Sequence, residues 1–125
     1  MTATIQTRAD IQRLVELFYN KALSDPIIGH IFKATHFDLE IHIPVMVSFW
    51  ETILLDVHTY QGNPMAKHID INKTIALEAA HFEHWLFLWA STITDNFTGE
   101  KAEEAISRAS GIAKIMQAKI SQSQT

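Results

Sequence analysis

Between Ala102 and Ile120 the residues Ala102, Ala105, Ile106, Ala109, Ile112, Ala113, Met116 and Ile120 follow the 3.6-residue period of a single helix face. A chain with that spacing must bury a long stripe against another element, and the alanines in it let a second helix approach closely. The same period recurs upstream. Ile11, Leu14, Val15, Phe18 and Ala22 predict an amphipathic helix from about Thr7 to Ser24, with Thr7 as a possible cap. No run alternates with the period of two that marks a half-buried strand, and no internal repeat is visible. The fold class is therefore read as all-α.

Breakers divide the remaining chain. Asp25-Pro26 ends the first helix and starts a short second one, because Asp caps well and Pro at the first helical position forfeits no hydrogen bond. Ile27, Ile28, Ile31 and Phe32 follow, before a loop around Lys33 to Phe37. A third helix is predicted from about Asp38 or His42 to Leu55, carrying Met46, Phe49, Trp50, Ile53 and Leu54. Pro44 falls early in it and would clash with the carbonyl of Glu40, so the helix proper is predicted to begin near His42, or to kink there. Val57 to Asn72 is rich in turn formers, with one short helix from Pro64 to His68. The segment after it, to about Asn96, carries apolar residues on more than one face and reads as a central, buried helix. Thr98-Gly99 breaks the chain ahead of the last one.

Composition excludes several functions. The 125 residues support one compact domain over 1–125. A formal charge of -4 leaves no basic stripe to replace phosphate counterions, so no nucleic-acid partner is expected. With no cysteine there is neither a disulfide, a thiolate ligand nor a Cys nucleophile. The polar start lacks a secretion signal, and the most apolar run, Trp85 to Ala90, is far shorter than a membrane span; a cytoplasmic chain with no membrane partner is expected. With 4 Gly and no Gly-rich strand-to-helix turn, a phosphate loop or dinucleotide fold finds no support.

One stretch carries chemistry. Tyr60-Gln-Gly62-Asn63-Pro64-Met65-Ala-Lys67-His68 presents His68 a short turn after a breaker, where an imidazole is well placed to ligate a metal or a haem iron. Taken with Phe18-Tyr19, Asp25-Pro26-Ile27-Ile28-Gly29-His30-Ile31-Phe32, His42-Ile-Pro44-Val-Met46-Val-Ser-Phe49-Trp50, Leu54-Leu55 and His81-Phe82-Glu-His84-Trp85-Leu86-Phe87-Leu88-Trp89, it resembles the group III truncated haemoglobins over nearly the whole chain. The resemblance implies a globin-like fold, a shortened two-over-two helical sandwich. It also implies one haem b (iron protoporphyrin IX) held through His68, with Tyr19, His42 and Trp85 on the distal side.

Tyr19 and Trp85 can donate hydrogen bonds to a polarised diatomic ligand, and His42 can do so or act as a gate. Read from periodicity alone, Tyr19 and Trp85 are equally well explained as core residues with polar ends at the surface. Met46, one turn beyond His42, is expected on the haem face, with Phe32, Phe49 and Trp50 lining the pocket or the core behind it. Tyr60, Lys67 and His58 are candidates for the haem carboxylates. The family's Gly-rich turn after the third helix is here Asp56-Val57-His58-Thr59, a departure that bears on the haem edge more than on iron ligation.

Three functions follow as expectations. The first is a haem protein, a monomer or weak dimer, that binds dioxygen, nitric oxide or carbon monoxide for storage, transport or sensing. The second is an enzyme that turns over nitric oxide or peroxide on the same haem with a separate reductase. The third is a remote non-haem alternative in which Glu78, His81 and His84 form a metal site on one helix face, although a solvated polar edge explains those residues more simply.

Overall fold

A computed structural model describes residues 2–34, 38–58, 60 and 77–123, with side chains through Ile120. Among the described residues there are five helices, α1 (Arg8–Leu23), α2 (Gly29–Ala34), α3 (Leu39–Leu55), α4 (Ala79–Asn96) and α5 (Glu100–Ser123), and two short strands, β1 (Ala3–Thr4) and β2 (Phe97–Thr98). No helix among them is long and apolar enough to cross a membrane.

α1 starts where Thr7 was expected to cap it. The Asp10 amide donates to Thr7 Oγ1 at 3.3 Å, and the Thr7 amide donates back to Asp10 Oδ2 at 3.0 Å, a reciprocal box that satisfies orphan donors of the first turn. Ile11, Leu14, Val15, Phe18, Tyr19 and Ala22 form its buried face.

The second helix begins later than the Asp25-Pro26 pair suggested. Asp25 Oδ1 accepts from the amides of Ile27 and Ile28 at 2.8 and 3.0 Å, so Pro26 to Ile28 form a turn and α2 proper starts at Gly29. The corner is tight. A Cβ on Gly29 would sit 2.8 Å from the backbone oxygen of Leu23. α2 runs to Ala34, into the stretch read as a loop from Lys33.

α3 takes the earlier of its two expected starts, not the one near His42. It begins at Leu39 behind an Asp38 cap, whose Oδ1 accepts from the Glu40 amide at 3.1 Å, and Pro44 lies inside it. The cap and the His42 amide bond to Asp38 O, 3.0 Å, establish the first turn ahead of the proline. Pro44 therefore removes one ladder bond near the helix start, which the segment tolerates. The helix ends at Asp56, a non-glycine residue with a left-handed φ of 55° at the position where glycine is usual.

The layers are two helix pairs, α1 on α3 and α4 on α5, joined chiefly where α1 packs across α4. Leu14, Val15, Val47, Leu54 and Ile93 fill the centre and are 1% exposed or less. Burial of each such side chain contributes about 1.5–3 kcal/mol. Ala102, Ala105, Ala109 and Ala113 form the predicted small-residue stripe of α5, and the space they leave lets the Trp89 indole N–H donate to Ala105 O at 3.2 Å. Arg8 pins the start of α1 to α3, donating to Glu51 Oε1 at 2.8 Å and to Ser48 Oγ at 3.2 Å.

The small sheet was not foreseen. β1 and β2 pair in parallel, Ala3 with Phe97 and Thr4 with Thr98, and two residues are too few for a period of two to show. Ile5 and Phe97 are buried beside the bridge. Gly99, with φ of 99°, then turns the chain into α5, as Thr98-Gly99 predicted.

Candidate functional site

Three elements converge on Tyr19. Its ring, on the buried face of α1, meets Phe32 of α2 edge-on at 5.9 Å and His42 of α3 at 5.5 Å, with Phe18 at 5.2 Å. Tyr19 is 7% exposed, which excludes the reading that placed its polar end at the surface. Burial pushes the phenol pKa far above its usual 10.0, so the hydroxyl keeps its proton and remains a donor. Phe32, His42, Met46 and Phe49 are all half-buried, and Phe32, Met46 and Phe49 pack against the main core.

Trp85 flanks this group. Its indole lies edge-on to Phe18 at 6.2 Å and belongs to the margin of both hydrophobic clusters, the main core and the smaller one around Phe82, Ala113, Met116 and Ile120. Behind it stand the other two tryptophans. Trp85 and Trp89 are stacked at 6.4 Å, and Trp89 and Trp50 at 4.7 Å. Phe49 then meets Trp50 at 5.3 Å and Tyr60 at 5.2 Å.

Tyr60 is held by its backbone, whose amide donates to Thr52 Oγ1 on α3 at 3.1 Å. Its hydroxyl is buried with no hydrogen-bond partner among the described residues, and burial raises its pKa. An orphaned hydroxyl of this kind costs about 1–3 kcal/mol unless something else accepts from it. His58 is 80% exposed and 3.3 Å from Asp56 Oδ1, so it stands on the outer surface. His68 and Lys67, with the predicted Pro64 to His68 helix, lie outside the described residues.

The non-haem alternative loses its ligands to other work. His81 Nδ1 accepts from the Glu78 amide at 3.0 Å, and His84 Nε2 is 2.6 Å from Asp25 Oδ2. His84 is thus not part of a solvated edge. Among the described residues no group of three or more His, Cys, Asp or Glu is arranged to hold a metal ion. Sequence reasoning missed the Asp25–His84 pair, because it joins residues 59 apart. It also missed the indole stack, of which only the four-residue spacing of Trp85 and Trp89 was visible.

These helices, with Tyr19, His42 and Trp85 set among aromatic rings, have the architecture of a truncated globin. The chain is similar to the group III truncated hemoglobin from *Campylobacter jejuni*, whose crystal structure it matches with a TM-score of 0.84 over 96% of this chain and 95% of that one, at 28% identity. It is also 29% identical over 111 residues, 86% of this chain and 85% of the other, to the group 3 truncated hemoglobin ctb of *Campylobacter jejuni*. No family model matches. By sequence and fold together the chain is similar to the group III truncated haemoglobins, as the motif order indicated, and that likeness implies a haem and diatomic ligands.

Proposed function

We propose that the chain holds one haem b through His68 and binds dioxygen or a related diatomic, nitric oxide or carbon monoxide, on the side lined by Tyr19, His42 and Trp85. The observation that carries this reading is the meeting of the Tyr19 phenol and the His42 ring inside an apolar wall built from three helices. Two polar rings in such a place are useful for a ligand that carries partial negative charge.

Tyr60 tests the fit. Its orphaned, buried hydroxyl suits the carboxylate edge of the macrocycle, which would accept the hydrogen bond that the described residues leave unmade. Lys67 is proposed to assist there as a cation. A haem held by His68 would supply an iron able to bind a gas molecule. The chain's own residues do the rest. Tyr19 keeps its proton and donates it as a hydrogen bond, His42 and Trp85 add donors, and Met46, Phe32 and Phe49 exclude water.

Visible absorption of the purified chain, ferric and then reduced under carbon monoxide, tests the proposal directly. A strong Soret band is expected, weakened or abolished by His68→Ala. A haem-reconstituted chain without that band would refute it.

A further inference from the structure

All three tryptophans of the chain stand in one column. Trp85, half-exposed, is at the proposed ligand side; Trp89 and Trp50 lie behind it, stacked at interplanar angles of 10° and 23° along the series. Phe18 closes one flank, edge-on to Trp85 and to Trp89 at 5.3 Å, and Phe49 continues the series to Tyr60. A core needs apolar volume, which leucines supply without polar atoms. Concentrating the indoles instead places the most readily oxidised neutral side chains in mutual contact.

We propose that Trp85, Trp89 and Trp50 form an electron-donating column, which delivers single electrons to the distal wall when a peroxide is the oxidant there. This rests on the haem reading for the site at which peroxide reacts. Hydrogen peroxide takes up two electrons, with two protons from solvent, and leaves as two waters. Each electron comes from one indole, which becomes a radical cation. Trp85 can then shed its ring proton to solvent. Trp89 donates its N–H to the Ala105 carbonyl, which is no base, so Trp89 keeps its proton and passes the oxidation on to an indole in contact with it. Cofacial rings share such a charge, and the Trp50–Trp89 pair at 4.7 Å is the closest stack in the column.

The test is where oxidation lands. In the haem-loaded full chain, frozen soon after mixing with hydrogen peroxide, an organic radical is expected whose electron paramagnetic resonance narrows when tryptophan is ring-deuterated. Peptide mapping should then find oxygen added at Trp50 and Trp89, which at 3% and 2% exposure an external oxidant does not reach. Trp89→Phe keeps a ring in place but removes the middle indole, and should lower oxidation at Trp50 severalfold relative to Trp85. A radical indifferent to tryptophan deuteration overturns the column, as does damage confined to exposed residues or an unchanged Trp50 yield in the variant. Should Trp89→Phe not fold, deuteration and mapping of the unaltered chain still decide.

The same map made on the haem-free full chain, with azide radicals generated radiolytically, separates the two ideas. Oxidation at Trp50 there supports the column whether or not haem is bound, and its confinement to exposed side chains overturns it. A missing Soret band fails only the haem reading.

Discussion

The imidazole of His84 and the carboxylate of Asp25 meet at 2.6 Å, in a pocket where their side chains are 22% and 9% exposed. The other oxygen of that carboxylate takes the amides of Ile27 and Ile28. One side chain thereby ties the end of α1, the turn into α2 and the residue preceding Trp85 on α4. Phe32 and Trp85 sit on the two helices, α2 and α4, that this knot joins.

Asp25→Asn is expected to lower stability by about 2 kcal/mol, because hydrogen bonds to a charged, mostly buried acceptor are worth roughly 1.5–3 kcal/mol. Burial alone would raise the Asp25 pKa, but the bonds from His84, Ile27 and Ile28 outweigh it and hold it below the usual 3.8. The folded chain thus binds fewer protons than the unfolded one in this range. The stabilisation is present above 3.8 and is lost as pH falls through the depressed value. Urea midpoints measured from about pH 5 to about pH 2 should fall less steeply in the variant. Asp10, whose pKa is also lowered, foremost by the Gln6 amide, retains its own share of the slope in both proteins. Equal slopes would remove the Asp25 contribution from the account.

Tyr19 governs the opposite end of the pH scale. Its folded pKa is raised well above 10.0, so beyond that value the folded chain retains a proton that the unfolded chain has lost, and stability must fall as pH rises. Tyr19→Phe should flatten this alkaline loss, leaving the part due to Tyr60, whose pKa burial also raises. In the haem-loaded protein the same change should speed dioxygen release by roughly five- to tenfold, the equivalent of one hydrogen bond of about 1 kcal/mol. Stopped-flow dissociation rates that do not change would remove Tyr19 from the ligand's surroundings.

Gly29→Ala should destabilise the fold by about 1–3 kcal/mol, since the new methyl meets the Leu23 carbonyl, a backbone group that cannot rotate aside. Gly111, with open space around its Cβ position, provides the contrast: Ala there removes a flexible residue from within α5 and should stabilise by up to about 1 kcal/mol. Thermal melts of the two variants should move in opposite directions.

The Trp50–Trp89 stack predicts a strong exciton couplet in the circular dichroism of the indole bands. Either Trp50→Phe or Trp89→Phe should abolish it, whereas Trp85→Phe should leave most of it. Trp89→Phe also deletes the indole N–H that donates to the Ala105 carbonyl and is expected to cost about 1 kcal/mol. A spectrum insensitive to Trp50 would contradict the packing.

The helices were legible because their apolar spacing is local, as the α5 stripe and the Thr7 cap illustrate. Their starts were less so. Pro44 suggested a boundary near His42, yet Asp38 began the helix ahead of it, since a cap acts over one turn and outweighs a single lost bond. Tyr19 and Trp85 became candidates through the motif order, because periodicity alone does not tell a ligand donor from a core aromatic. The role of His84 depended on a partner on another helix, which no local pattern encodes. His58, read as a haem-edge candidate, stands in solvent because the left-handed Asp56 turns the chain outward at the end of α3.

The bridge from Ala3 to Phe97 joins chain segments separated by four of the described helices. Closing so large a loop is entropically expensive until those helices have already docked. On a ribosome the leading arm would therefore emerge long before its mate is synthesised, and would wait unpaired with Ile5 uncovered. The final clasp of this fold is accordingly a late event, and amide exchange at Thr4 should report the last step of its maturation.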